Sequence, residues 1–145
     1  MTSSYNKLYL EKAQNTLSSM LDYAVSDLGY SLKEFYDLFL ASNISTIFAS
    51  GDCSVIAGKS GSELALEIIS ELNVKDVNTL PQPIFNPERT SVYWTGWALS
   101  FYQWYRGLSF QEINQKIGID DIHSLYYPYH EMDIMQFVNK MNELL

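Results

Sequence analysis

The segment GKSGSELALEII, residues 58 to 69, comes closest to a known chemical motif in this sequence. A Gly-Lys-Ser before a helix resembles the end of a P-loop, in which backbone amides, Lys59 and Ser60 would hold phosphate and magnesium. That motif also needs a glycine with four residues between it and the Gly-Lys pair, and here that position is Cys53. We therefore predict a turn followed by a helix whose first turn is capped by Ser60 or Ser62.

Metal or nucleophilic chemistry would have to use Cys53, His123 or His130, with Glu131 beside the second histidine. Two imidazoles and a carboxylate could bind a metal. However, Pro128 lies between the histidines, and neither H-x-x-x-H nor H-E-x-x-H spacing occurs. A small enzyme that uses His123, His130 or Cys53 is kept as an alternative function. We predict no catalytic residue, no metal and no cofactor, and a buried Cys53.

Residues 107 to 127 have the rhythm of a helix–turn–helix, with Gly118 at the turn. A recognition helix offers Arg, Lys, Asn or Gln to the major groove. The second helix would instead offer Asp120 and Asp121, which phosphate repels. A helix–turn–helix DNA-binding regulator is therefore an alternative function and not the leading one.

All three tryptophans lie in YWTGWALSFYQWYRG, residues 93 to 107. On a helix they share one stripe with two further apolar residues, at spacings of three and four: Trp94, Trp97, Phe101, Trp104 and Leu108. An aromatic stripe at helical spacing is most often part of the core. We therefore predict that this helix, residues 91 to 106, is central to the fold and that Gly96 lets another backbone come close.

The aromatic and basic residues expected at the surface form the predicted partner site. They are Tyr105, Arg106, Tyr126, Tyr127, Tyr129 and His130. Tyrosine and arginine contribute to protein interfaces out of proportion to their number. The last four of these residues surround Pro128 in LYYPYHE, which we expect to be a loop.

The chain has 145 residues, of which 47% are apolar and 18% charged, as is usual for one globular domain. A single cysteine cannot form an internal disulfide, which fits a reducing compartment. The N-terminal sequence has no signal-peptide pattern, and no apolar run approaches the roughly 20 residues that a membrane-spanning helix needs. We expect a cytoplasmic protein that does not enter a membrane.

Apolar periodicity predicts helices over most of the sequence, and no alternation of strands with helices is visible. Capping boxes at Ser31–Glu34 and Ser109–Glu112 predict two helix starts. ISTIFAS, residues 44 to 50, fits either a strand or a helical turn. We predict an all-α fold, a single domain over residues 1 to 145, built as a bundle of about six helices around the aromatic-rich helix. A connection at about residues 73 to 90 holds three of the four prolines.

The chain carries 17 acidic and 9 basic residues, a net charge of −8. This balance argues against a large nucleic-acid surface, which would need clustered Lys and Arg. It suits a basic protein partner. We therefore predict another protein as partner, basic or toxin-like, with no direct nucleic-acid contact, and leave a homo-oligomer open.

The segments YWTGWALSFYQWYRGLSFQEI, YSLKEFYDLFLAS, GKSGSELALEII and HEMDIMQFVNKMNELL together resemble a family of small bacterial cytoplasmic proteins. Genes of that family often lie beside genes for small ADP-ribosyltransferase-like proteins. The resemblance covers most of the chain, implies a toxin–antitoxin or defence setting, and carries no catalytic residues over. The leading prediction is a non-enzymatic protein-binding module, antitoxin-like or a defence-associated inhibitor.

Overall fold

The computed structural model describes residues 3 to 84 and 90 to 145, and every regular element in them is helical. Six of the described helices have seven or more residues, so the predicted all-α bundle of about six helices is confirmed. The α-helices are α1 (Leu10–Asp22), α2 (Leu32–Ala41), α3 (Asn43–Ala49), α4 (Cys53–Ile56), α5 (Gly61–Glu71), α6 (Ser91–Arg106), α7 (Phe110–Asn114), α8 (Ile119–Ser124), α9 (Tyr126–Tyr129) and α10 (Ile134–Leu144).

Local sequence signals set where most of these helices begin. Ser31, Ser60 and Ser109 each accept a hydrogen bond from the backbone three residues later, and a glutamate there bonds back to complete a capping box. The two predicted boxes are confirmed, and Ser60, not Ser62, caps α5. The ambiguous residues 44 to 50 belong to helix α3 and the turn after it, and the Glu71 carboxylate accepts from the Asn43 amide at the start of α3.

Helix α1 lies between α5 and α6, and a glycine allows each neighbour to come close. A Cβ on Gly61 of α5 would lie 2.3 Å from the Met20 amide nitrogen, and one on Gly96 of α6 would lie 2.7 Å from the Ser18 Cα. The prediction that another backbone approaches Gly96 is therefore confirmed. Leu17 and Met20 of α1 are fully buried, as expected for a helix covered on two sides.

The buried face of α6 consists mainly of small or polar residues, with Leu99 and Tyr102 as its large apolar members. Its buried residues are Thr95, Gly96, Ala98, Leu99, Ser100, Tyr102 and Gln103. The tryptophan stripe, which its spacing favoured as core, lies at the edge of the core: all five residues are half-buried, and Trp94, Trp97, Phe101 and Leu108 pack against the buried cluster. Close packing on α1 requires the small residues at the contact, so the large rings flank it.

The C-terminal helices cover the other side of α6. Trp94 meets Phe137 of α10 edge-on with ring centroids 5.4 Å apart, and Tyr102 bonds Asn142 of the same helix. The earlier residue of α6, Trp94, contacts the earlier residue of α10, Phe137, and the later residue Tyr102 contacts the later residue Asn142. The two helices therefore run in the same direction. The aromatic-rich helix therefore lies between α1 and α10, as predicted for a central element.

The N-terminal segment is bound across the end of α6. The Ser4 amide donates to the Trp104 carbonyl at 2.9 Å, and the Trp104 indole donates to the Tyr5 carbonyl at 2.8 Å. Buried Gln103 places its amide nitrogen 2.9 Å from the Ser4 hydroxyl and 3.2 Å from the Ala49 carbonyl. These bonds satisfy groups at the helix end that lack partners within the helix.

Candidate functional site

Helix α9 carries the most exposed aromatic ring among the described residues. LYYPYHE was expected to be a loop, and this is wrong: Tyr126–Tyr129 is one helical turn, with bonds from the Tyr129 amide to the Leu125 carbonyl and from the His130 amide to the Tyr126 carbonyl. Pro128 is compatible with it because the first turn of a helix needs no amide donor there. The Tyr127 side chain is 85% exposed.

Tyr126 holds α9 against the rest of the protein. Its ring stacks on His130 with centroids 4.1 Å apart and planes 15° from parallel. It also meets Trp94 of α6 edge-on at 5.8 Å and Tyr127 at 5.5 Å. Tyr127 is thus an exposed residue next to a packed aromatic group. The backbone that carries it is already ordered, so binding would cost little backbone entropy.

The histidine rings are both engaged near α9. The Nδ1 atom of His130 lies 2.7 Å from the Tyr126 carbonyl, which can only accept, so Nδ1 donates. The Nε2 atom of His130 lies 3.7 Å from the Glu131 carboxylate. His123 forms a 2.8 Å hydrogen bond between Nε2 and the Ser91 hydroxyl at the start of α6. Each ring therefore has a structural role in placing α8 and α9.

Tyr105 and Arg106 lie at the other end of α6. Tyr105 is half-buried and stacks on Phe101, with planes 13° from parallel. The Arg106 guanidinium donates to the Tyr102 hydroxyl at 2.7 Å and to the Asn142 side-chain oxygen. Arg106 is twelve positions from Trp94, about 18 Å along a helix. The six predicted partner residues therefore form two separate groups.

We define the tyrosine surface as Tyr126, Tyr127, Tyr129, His130 and Met132. Tyr129 is half-buried against the core, and its carbonyl accepts from the Met132 amide. Met132 is 54% exposed and was missed by the sequence prediction. Its position just before Asp133, which caps α10, was the available signal, since a residue before a helix cap lies in a turn.

Carboxylates flank the tyrosine surface on both sides along the chain. Residues 118 to 133 contain Asp120, Asp121, Glu131 and Asp133 and no Lys or Arg. All four carboxylates are exposed, two in the first turn of α8 and two between α9 and α10. We call these four residues the acidic rim. It accounts for a charge of −4 out of the net −8 of the chain.

The other chemical candidates have structural roles in the described part of the chain. Lys59 forms an ion pair with Glu67 at 2.5 Å, while Ser60 caps α5. The prediction of a buried Cys53 is wrong, because Cys53 is exposed at the first position of α4. The described residues contain no group of three or more His, Cys, Asp or Glu side chains arranged to hold a metal ion.

The helix–turn–helix segment forms two very short helices, α7 with five residues and α8 with six. The exposed residues of α8 are Asp120, Asp121 and Ser124. A recognition helix of this composition would place carboxylates against phosphate.

No family model, curated protein or solved structure matches this chain. Over the described residues, no helix combines the length and apolar character needed to cross a membrane.

Proposed function

We propose that the protein is a non-enzymatic protein-binding module that holds its partner at the tyrosine surface. One observation carries this proposal: Tyr127 is 85% exposed, and it lies on a helical turn that Tyr126 anchors by packing on His130 and Trp94. A large exposed ring on a supported backbone is typical of a binding residue, since its burial by a partner stabilises the complex at a low cost in entropy.

Met132, five residues after Tyr127, is exposed as well, and the four carboxylates of the acidic rim precede and follow Tyr127 in the chain. An apolar centre with a polar margin is the usual arrangement of a protein interface. The module would act by covering the active or nucleic-acid-binding face of its partner, as an antitoxin-like or defence-associated inhibitor does. The resemblance described above makes a small ADP-ribosyltransferase-like protein encoded nearby the first partner to test. A single cysteine favours the cytoplasm as its location.

The experiment is capture of the partner by tagged protein from the native cell at moderate salt, followed by mass spectrometry and by repetition with the purified partner. Tyr127→Ala should abolish stoichiometric capture without changing the circular dichroism spectrum. Leu8→Ala is the matched control, because Leu8 is 82% exposed but lies at the opposite end of the sequence, before α1. Capture that is equal for both variants would show that the tyrosine surface is not the binding site.

The same experiment separates the alternative functions. Retention of DNA alone, lost on raising the salt concentration, would favour the helix–turn–helix regulator. Thiol reactivity of Cys53 well above that of a model thiol, or bound metal in the purified protein, would favour the enzyme. A single species of twice the monomer mass, with nothing else captured, would indicate a homo-oligomer.

A further inference from the structure

We propose that the tyrosine surface binds a cationic segment of the partner protein, with an arginine side chain lying over the Tyr127 ring. This inference rests on the proposed function and adds the chemistry of the partner. It follows from three properties of residues 118 to 133: their charge, the lack of an ion pair between them and a described Lys or Arg, and the exposure of one aromatic side chain.

The charge of this segment is unusually concentrated. Sixteen of the 145 residues contain four carboxylates and no Lys or Arg, which is half of the net charge of −8. Charges of one sign on a short surface segment add to a common potential, which attracts an oppositely charged partner and speeds its association.

No described Lys or Arg forms an ion pair with the acidic rim, although Lys33, which pairs with Asp37, also interacts electrostatically with Asp120. Described lysines pair with Asp37, Glu67 and Glu143, and none of these belongs to the rim. Within the rim, Glu131 lies 3.7 Å from the His130 ring, and Asp133 accepts from the Met135 amide at the start of α10. All four rim residues remain exposed, so a cation can reach their carboxylates.

Tyr127 favours arginine over other cationic groups. A guanidinium is planar and weakly hydrated, so it stacks on an aromatic face, whereas an ammonium keeps its water more strongly. Both kinds of cation lie over tyrosine rings in this protein, the Lys75 ammonium 4.7 Å from the Tyr30 centroid and the Arg106 guanidinium carbon 5.7 Å from the Tyr102 centroid. The expected preference for arginine therefore rests on its weaker hydration and planar shape. The Tyr127 ring is exposed to solvent, and Glu131 and Asp133 follow it within six residues of the chain, where their carboxylates could accept hydrogen bonds from the same guanidinium.

Other occupants fit the surface less well. Nucleic acids and anionic membranes carry phosphate, which the acidic rim repels. A second copy of this chain would bring the same net charge of −8 against the same rim. A basic protein segment is the occupant whose charge is complementary.

The test uses labelled ten-residue peptides with five arginines or five lysines in the same glycine–serine background, titrated by fluorescence anisotropy at low and moderate salt. The full-length protein should bind the arginine peptide about two- to fivefold more tightly than the lysine peptide. Tyr127→Leu, which keeps an apolar side chain, should remove that preference.

Glu131→Gln should weaken the binding of both peptides about two- to threefold. Glu11→Gln is the matched control, since Glu11 is exposed on α1, far along the chain from the rim, and should leave both affinities unchanged. Equal affinities for the two peptides, or equal losses from Glu131→Gln and Glu11→Gln, would overturn the inference.

The two proposals can fail separately. If Tyr127→Ala abolishes capture of the natural partner while peptide binding depends on neither Tyr127 nor Glu131, the binding module stands and the cationic partner is wrong. If the peptides show both dependences but natural capture is unaffected by Tyr127→Ala, the cation preference stands and the proposed binding role of the surface is wrong.

Discussion

Gly96 of α6 lies against Ser18 of α1 so closely that a Cβ on the glycine would come within 2.7 Å of the Ser18 Cα and 2.9 Å of its nitrogen. Both neighbours are backbone atoms, which cannot rotate away as a side chain can. The two longest helices therefore meet backbone to backbone at this point. This contact decides which face of α6 is buried and hence where its aromatic rings lie.

We predict that Gly96→Ala destabilises the protein by about 2 kcal/mol, the upper end of the overpacking cost less the gain in helix propensity, measured by urea unfolding. Alanine raises helix propensity by about 1 kcal/mol. Overpacking of a filled contact costs about 1 to 3 kcal/mol and more where backbone must move. Because the added carbon would meet backbone, the packing loss should exceed the gain in propensity.

Gly118→Ala is the matched control for Gly96→Ala. Gly118 precedes α8 with a φ of −76°, and a Cβ there would find its nearest neighbour, an Asp121 oxygen, at 3.8 Å. Gly118→Ala should lower the unfolding free energy by less than about 1 kcal/mol, the difference between glycine and alanine as helix caps. Equal losses at the two positions would mean that the α1–α6 contact is not close.

The sequence predicted those parts of the fold that depend on local signals. The bounds of α6 were predicted as residues 91 to 106, and the structure has Ser91–Arg106. Its end is marked by Gly107, whose φ of 67° suits glycine. Capping boxes also act between residues three apart, so Ser31–Glu34 and Ser109–Glu112 could be read without knowing the fold.

The errors concern properties that depend on distant neighbours. The tryptophan stripe was assigned to the core by its spacing, but Gly96 brings α1 to the small face of α6, and spacing alone does not reveal that. Tyr126 forms part of a helix because Trp94 and His130 pack on its ring. The bond from Arg106, which is half-buried, to Asn142 could not be predicted from spacing, because the two residues lie 36 positions apart. Of the candidate site, the exposure of Tyr127 was predicted, whereas Met132 was missed although its position before the Asp133 cap indicated a turn.

We predict that stability falls as pH rises through the range from about 10 to 12, in part because of Tyr5. Burial raises the pKa of the Tyr5 hydroxyl to about 12, and the neighbouring Ser100 hydroxyl partly offsets the shift. In the unfolded chain a tyrosine loses its proton near pH 10. Between these values the unfolded state releases the proton and the folded state keeps it. The stabilisation is therefore complete below about pH 10 and is lost above it.

Urea unfolding at pH 9 and at pH 11 tests this prediction with two tyrosine variants. Tyr5→Phe cannot ionise, so its unfolding free energy should fall less between the two pH values than that of the unchanged protein. Tyr127→Phe keeps the buried Tyr5 hydroxyl and changes only a side chain that is 85% exposed. Its unfolding free energy should therefore fall between the two pH values as much as that of the unchanged protein. If the unfolding free energy of Tyr127→Phe fell less between pH 9 and pH 11 than that of Tyr5→Phe, burial of the Tyr5 hydroxyl would not be the cause of the pH dependence.

We predict that Arg106→Ala lowers stability by about 1 to 2 kcal/mol because the guanidinium joins α6 to α10. It donates to the Tyr102 hydroxyl, which itself donates to the Asn142 oxygen at 2.7 Å. Hydrogen bonds that involve a charged group contribute about 1.5 to 3 kcal/mol when buried, and partial exposure reduces this. The measurement is urea unfolding at neutral pH, with thermal unfolding as a second readout.

Lys140→Ala is the control for Arg106→Ala, because it removes the same charge from a neighbouring helix. Lys140 lies 3.7 Å from Glu143 on the surface of α10, and such pairs contribute less than about 1 kcal/mol. Arg106→Ala should therefore cost more than Lys140→Ala. If Arg106→Ala instead kept full stability but abolished partner capture, the guanidinium would belong to the binding surface as the sequence predicted. The interface would then extend from the tyrosine surface to the C-terminal end of α6.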